Sequence, residues 1–83
     1  MAVLRLFASI RDKAKKDSLV IPVNGTLPLE QFLVAAAKIA GVEPAVFLNP
    51  SALYAVNQNA CGIDCMVTDS DEIAVLPPLS GGV

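Results

Sequence analysis

The residues whose types and spacing could do chemistry lie together at the end of the chain, in Leu79-Ser80-Gly81-Gly82-Val83. They follow an apolar, strand-like run, Ile73-Ala74-Val75-Leu76, that stops at Pro77-Pro78. Proline lacks an N–H and cannot continue the interior of a sheet, so the pair directs the backbone out of the fold. Gly81 and Gly82 carry no Cβ and can enter spaces closed to other residues. Fully extended, Leu79 to Gly82 spans roughly 14 Å, enough to thread into a partner's active site. A terminal carboxylate has a pKa of roughly 3.5, so at neutral pH it is ionised and a poor electrophile. Joining it to AMP as a mixed anhydride supplies a leaving group, after which a sulfur or amine donor can attack. Bulky side chains would obstruct such a site, and glycines admit both backbone and nucleotide. The pattern points to a chain terminus activated by another enzyme.

Elsewhere the chain offers little for catalysis. It contains no histidine, the side chain best suited to proton transfer near neutral pH, and no nucleophile–base pair is visible. Asp69, Asp71 and Glu72 are conceivable metal ligands, but Asp69-Ser70-Asp71 reads as ordinary turn chemistry. Arg11, Lys13, Lys15 and Lys16 read as a solvated basic face. No phosphate-binding or dinucleotide-binding glycine pattern is present. The two cysteines, Cys61 and Cys65, lie roughly 13 Å apart if the segment between them is extended, too far for a disulfide. A tetrahedral zinc site cannot be completed from the two of them. A small core role is expected for at least one of them.

Composition bounds the rest. Eighty-three residues make one domain with a modest core. The formal charge of −2 creates no strong field for nucleic acid or an anionic membrane. Apolar residues make up 54 % of the chain and charged residues only 17 %, so some apolar surface should remain outside for a protein partner. The uncharged stretch from Pro44 to Ile63 is broken by Pro50 and by several amides, which excludes a membrane span. Met1 to Arg5 has no basic region ahead of a long apolar core, so no signal peptide is expected and a cytoplasmic location is the default.

These elements must position the terminus. Ala2–Ala8 reads as a first strand, Ser9–Lys16 as a short helix or wide turn, and Leu19–Val23 as a second strand that Pro22 marks as edge or irregular. Asn24-Gly25 marks a turn. The clearest element is a helix with Thr26 as its N-cap, Pro28 near its first turn, and Glu30 at the positive end of its dipole. Leu29, Phe32, Leu33, Ala36 and Ala40 form its apolar face, and Gly41 ends it. Val42–Ala52 is irregular. Leu53–Val56 forms a third strand, Asn57-Gln58-Asn59 a turn, Ala60–Asp64 a brief strand, and Glu72–Leu76 the last strand. The order indicates an α+β fold, with a sheet covered on one face by one main helix.

Two segments resemble a known family. Leu4-Arg5-Leu6-Phe7-Ala8-Ser9-Ile10-Arg11 looks like its opening strand, and Leu53 to Gln58 followed by Asp69 to Gly82 looks like its second half. The chain resembles the small subunit of molybdopterin synthase, the MoaD-like group of the MoaD/ThiS ubiquitin-like sulfur carriers. The likeness covers nearly the whole chain, and the Pro-Pro-x-Ser-Gly-Gly ending is its most specific part. It implies a β-grasp fold with a mixed sheet of about four to five strands. The implied organisation is a domain over residues 1–78 and a flexible tail over 79–83.

The resemblance also implies a function. A MoeB-like E1 enzyme would adenylate Gly82 with ATP, and the adenylate would become a thiocarboxylate. A MoaE-like large subunit would receive Pro78, Leu79, Ser80 and Gly81 in its active site. Sulfur would then pass to cyclic pyranopterin monophosphate during molybdenum cofactor biosynthesis. The carrier itself would hold no cofactor and no metal. Two residues depart from the family pattern. Ser70 replaces the central glycine of an aspartate-glycine-aspartate turn, and Val83 extends one residue past the glycine on which working members end. Removal of Val83 by a peptidase is therefore expected before loading. Sulfur delivery to thiazole, cysteine or another thiolated metabolite is an alternative, as is a ubiquitin-like interaction module or protein modifier without sulfur chemistry.

Overall fold

The computed structural model of the chain describes residues 1–77. Its framework is a five-stranded sheet in the order β2-β1-β7-β4-β5, with a separate two-stranded ribbon formed by β3 and β6. The sheet strands are β1 (Ala2–Leu6), β2 (Ser18–Ile21), β4 (Leu53–Val56), β5 (Asn59–Cys61) and β7 (Glu72–Leu76). The ribbon strands are β3 (Thr26–Pro28) and β6 (Met66–Thr68). β7 runs parallel to β1, with Leu4 opposite Ile73 and Leu6 opposite Val75. It runs antiparallel to β4, with Tyr54 opposite Val75 and Leu53 opposite Leu76. The last strand thus lies at the centre of the sheet. This is the mixed-sheet β-grasp fold, with α2 (Leu29–Ala40) as its main helix.

Period-two alternation decides which face is buried. In β1, Ala2, Leu4 and Leu6 point inward; in β7, Ile73 and Val75 do so. They meet Leu29, Phe32, Leu33, Ala36 and Ala37 on α2, all fully buried. Ala40 sits at the rim of this cluster. Phe47, from the irregular segment after α2, is also fully buried and closes one end of the core. It follows a short 3-10 helix at Pro44–Val46.

The ends of α2 are secured differently. Gly41 adopts φ 75°, and a Schellman pair of bonds, Val42 N–H to Ala37 C=O and Gly41 N–H to Lys38 C=O, closes the C-terminus. At the other end Thr26 is not the N-cap. It lies in β3, opposite Thr68, and Pro28 occupies the N-cap position with no side-chain cap. Pairing with β6 holds Thr26 extended and places it too far upstream to cap.

Other boundaries shift modestly. The first strand ends at Leu6, and the polar segment after it is a helix, α1 (Ala8–Ala14), ended by Lys15 at φ 60°. The second strand stops at Ile21, ahead of Pro22, as a residue without an N–H requires. β4 and β5 are joined by Asn57 and Gln58, both at positive φ, which is the type I′ hairpin whose twist matches that of its strands. The fifth strand is Asn59–Cys61, shorter than a strand running to Asp64.

Phe32 fills the centre of this core with no exposed surface. Phe32→Ala should cost about 3–5 kcal/mol, from lost burial and a residual cavity. A domain of this size is stable by about 4–12 kcal/mol in total, so urea titration followed by circular dichroism should show a variant near the edge of folding.

Candidate functional site

The sequence places the chemistry on the segment that follows β7, and the structure shows what lies at its root. β7 is held on both sides, by β1 and by β4, and Pro77 follows its last residue. At this end of the sheet Leu53 is 55 % exposed and Phe7 39 % exposed. The outward residues of the sheet include Val3 and Arg5 on β1, Ser18 and Val20 on β2, Leu53 and Ala55 on β4, and Glu72, Ala74 and Leu76 on β7. This face is largely apolar, its polar groups being the ion pair of Arg5 Nε with Glu72 Oε2 and the hydroxyl of Ser18. A shallow depression of about 370 Å³ lies across it, lined by Arg5, Phe7, Gln58, Glu72 and Ala74. Exposed apolar surface, expected from composition, is therefore present on the sheet whose central strand leads to the terminus.

At the opposite end of β7 the acidic turn organises the strand's entry. Thr68 N–H donates to Asp71 Oδ2 at 2.8 Å and Asn57 Nδ2 donates to Asp71 Oδ1 at 2.9 Å. The Glu72 N–H donates to Asn57 Oδ1 at 3.0 Å, tying the β4–β5 hairpin to the start of β7. Asp69 Oδ1 accepts from the Val23 N–H at 2.9 Å, and its Oδ2 lies 3.2 Å from the amino group of Met1. Both carboxylates are engaged in backbone and side-chain bonds, as turn residues. Ser70 does not adopt a positive φ, so the change from glycine strains nothing.

These bonds set the protonation behaviour. The Val23 N–H, and then the N-terminal ammonium, hold the Asp69 carboxyl below its ordinary range. The Thr68 N–H, and then the Asn57 amide, do the same for Asp71. Among the described residues no charged or polar residue is buried, and no group of three potential metal ligands occurs.

The cysteines depart from expectation. Cys61 and Cys65 form a disulfide, with their Cα atoms 6.2 Å apart. The segment between them is a turn, Gly62-Ile63-Asp64, closed by Cys65 N–H donating to Gly62 C=O at 3.1 Å. An extended path, on which the larger separation rests, does not exist. Glycine and aspartate between the cysteines are turn residues, and they carried that signal. This loop also borders a groove of about 460 Å³ lined by Glu30, Leu48, Asn49, Pro50, Tyr54 and Ile63. On its far wall the Tyr54 hydroxyl donates to Phe47 C=O at 2.8 Å and accepts from Asn49 N–H at 3.2 Å. Sequence reasoning assigned Tyr54 to a strand and missed that its phenol anchors the irregular segment. Pro78, Leu79, Ser80, Gly81 and Gly82, the expected site residues, lie outside the described residues, as does Val83. Arg11, Lys13, Lys15 and Lys16 are exposed on and after α1.

A β-grasp body with a central last strand and a main helix across one face of its sheet defines a ubiquitin-like domain. The chain belongs to the ThiS family, which matches residues 4–82. No curated protein matches it in sequence. Among solved structures it is similar to SAMP1 from Haloferax volcanii, with a TM-score of 0.80 and 24% identity over 98% of each chain. It is also similar to the small archaeal modifier protein 1 of Methanosarcina acetivorans, with a TM-score of 0.78 and 25% identity over 98% of this chain and 95% of that one. A third likeness is to the complex of subunits 1 and 2 of the molybdopterin-converting factor from Helicobacter pylori, with a TM-score of 0.61 and 23% identity over 98% of this chain and 97% of that one.

The acidic turn yields a pH prediction. Asp69 and Asp71 have depressed pKa values when folded, so the stability they contribute is present above their ordinary value of 3.8 and is lost as pH falls through the lower folded values. Denaturant midpoints measured from neutral pH to below 3.8 should therefore fall on the acid side. Asp71→Asn should be less stable at neutral pH and show a flatter acid limb; an unchanged acid limb would show that this carboxylate is not held by Thr68 and Asn57.

Proposed function

We propose that the chain is a sulfur carrier, loaded at Gly82 after a peptidase removes Val83, and that it serves as the small subunit of a molybdopterin synthase. The observation that carries the reading is the family match, which extends to residue 82, the second glycine of the tail. A Gly82 carboxylate oxygen attacks the α-phosphorus of ATP on a MoeB-like E1 enzyme, and pyrophosphate leaves. A sulfur nucleophile then attacks the Gly82 carbonyl carbon and AMP departs, leaving a thiocarboxylate. Pro78, Leu79, Ser80 and Gly81 thread the active site of a MoaE-like large subunit, where sulfur passes to cyclic pyranopterin monophosphate. Likeness to a structure that holds subunits 1 and 2 of a molybdopterin-converting factor supports the large-subunit partner. The apolar outer face of the sheet, with Leu53 and Phe7 at its margin, offers the docking surface.

In this reading ATP is consumed on the activating enzyme, and the carrier holds no cofactor of its own. The reaction takes place in the cytoplasm. No helix among the described residues is long and apolar enough to cross a membrane. Carriers that deliver sulfur to thiazole, cysteine or another metabolite share the first two steps and differ only in the acceptor.

A second reading is favoured by a specific observation, the likeness to the archaeal modifier proteins. There the Gly82 adenylate is attacked by an amine of a target protein, and an isopeptide bond replaces the thiocarboxylate. The activated terminus is common to both readings.

The test uses chains ending at Gly82 and at Val83, incubated with a MoeB-like enzyme, ATP and sulfide. Intact mass should show replacement of one oxygen by sulfur only in the chain ending at Gly82. Gly82→Ala should reduce loading to background while circular dichroism stays unchanged. Failure of the Gly82-ended chain to form any acyl adenylate would refute both readings. Lysine-linked conjugates without a thiocarboxylate would select the modifier. A loaded carrier that yields no molybdopterin with a MoaE-like subunit would select another acceptor.

A further inference from the structure

Helix α2 has no side-chain cap, yet its first N–H groups are not left to solvent. Leu29 N–H donates to Cys65 C=O at 2.7 Å, and Glu30 N–H donates to Ile63 C=O at 3.0 Å. An α-helix leaves its first four N–H groups without intrahelical partners. Here two of them are satisfied by the loop that the Cys61–Cys65 disulfide closes. We propose that this disulfide is a redox-sensitive clamp on the start of α2: oxidised, it holds the loop carbonyls as the helix cap; reduced, it releases them.

The surroundings make the clamp both accessible and consequential. Cys61 and Cys65 are partly exposed, and Gly62, Ile63 and Asp64 between them are exposed, so a thiol reagent can reach the bond. Apart from its bonds to α2, the loop is flanked by short strands. β5 pairs with β4 (Cys61 opposite Tyr54), and β6 pairs with β3 (Met66 opposite Pro28). In the chain-entropy account, a cross-link over so short a loop disfavours the unfolded ensemble by roughly thirtyfold, which bounds its effect on local opening of this loop. Ile63 and Glu30, one from the loop and one from the helix, also form one wall of the groove completed by Leu48, Pro50 and Tyr54. The redox state therefore sets the order of that wall together with the first turn of the helix. This function is independent of the tail and of whichever molecule Gly82 loads.

The chemistry balances with a dithiol as reductant. One of its thiolates attacks a protein sulfur, breaking the Cys61–Cys65 bond and forming a mixed disulfide. The second thiol then displaces the remaining protein thiolate. Two electrons and two protons pass to the protein, which ends with two thiols, and the reagent leaves as its cyclic disulfide.

Hydrogen exchange on the full chain tests the clamp, comparing the oxidised protein, the same protein reduced with dithiothreitol, and a Cys61→Ser/Cys65→Ser variant without reductant. The Leu29 and Glu30 amides should exchange at least roughly tenfold faster in the reduced and variant proteins, below the thirtyfold ceiling. The Val3 amide, bonded to Asp71 C=O in the pairing of β1 with β7, should accelerate much less. Unchanged rates at Leu29 and Glu30 after reduction would overturn the proposal. Equal acceleration at Val3 would do so too, by showing only a general loss of stability. A reduced chain that does not lose two hydrogens in intact mass when re-oxidised with oxidised glutathione would also overturn it.

Discussion

The parallel pairing of β1 with β7 is the contact on which the structure depends. It joins the first residues of the described chain to the last, Val3 opposite Glu72 and Leu6 opposite Val75. Neither strand can bury its inward residues until the other is in place, because Leu4, Leu6, Ile73 and Val75 form one layer beneath α2. Parallel neighbours cannot be linked by a tight turn, so everything between them serves as the crossover. Such non-local pairing carries the largest entropic cost of loop closure. The apolar stripe of α2, with Phe32 and Leu33 at its centre, offsets that cost by packing across both strands.

The remaining elements adjust this arrangement. β4 adds to the free edge of β7 and brings Asn57 to the Asp69-Ser70-Asp71 turn, so hairpin and turn share one hydrogen-bond network. β2 covers the other edge of β1. Tyr54 and Phe47 pin the irregular segment, and the disulfide loop caps the main helix. The outer sheet face is left largely apolar and open, interrupted by the Arg5–Glu72 pair. An exposed pair of this kind contributes little stability. Its value is solubility on a surface otherwise suited to a partner.

Much of this could be read from the residues. The spacing of Leu29, Phe32, Leu33 and Ala36 gave the helix and its buried face, and Gly41 gave its end, because both depend only on local periodicity and local dihedral freedom. The Asp69-Ser70-Asp71 turn and the Glu72–Leu76 strand were legible for the same reason. β3 and β6 were not. They have three residues each, and their pairing of Leu27 with Val67 is invisible without the tertiary fold. The same long-range pairing removed Thr26 from the helix cap. Phe47 escaped notice as core because a 3-10 turn has no periodic signature. The cysteines were misjudged by treating Ala60–Asp64 as extended when Gly62 and Asp64 mark a turn. For the candidate site the position is reversed. The chemistry proposed for Gly81-Gly82 rests on residue type alone, because both glycines lie outside the described residues.

The central position of β7 has a mechanical consequence. Tension applied through the residues after Pro77 runs along the strand axis, across ladders to β1 and β4 on both sides. In the antiparallel ladder the bonds lie perpendicular to that axis, so a pull shears many of them at once instead of unzipping them singly. A strand at the margin of the sheet would peel away one bond at a time. An enzyme that grips and draws on the terminus can therefore do so without unravelling the body that delivers it.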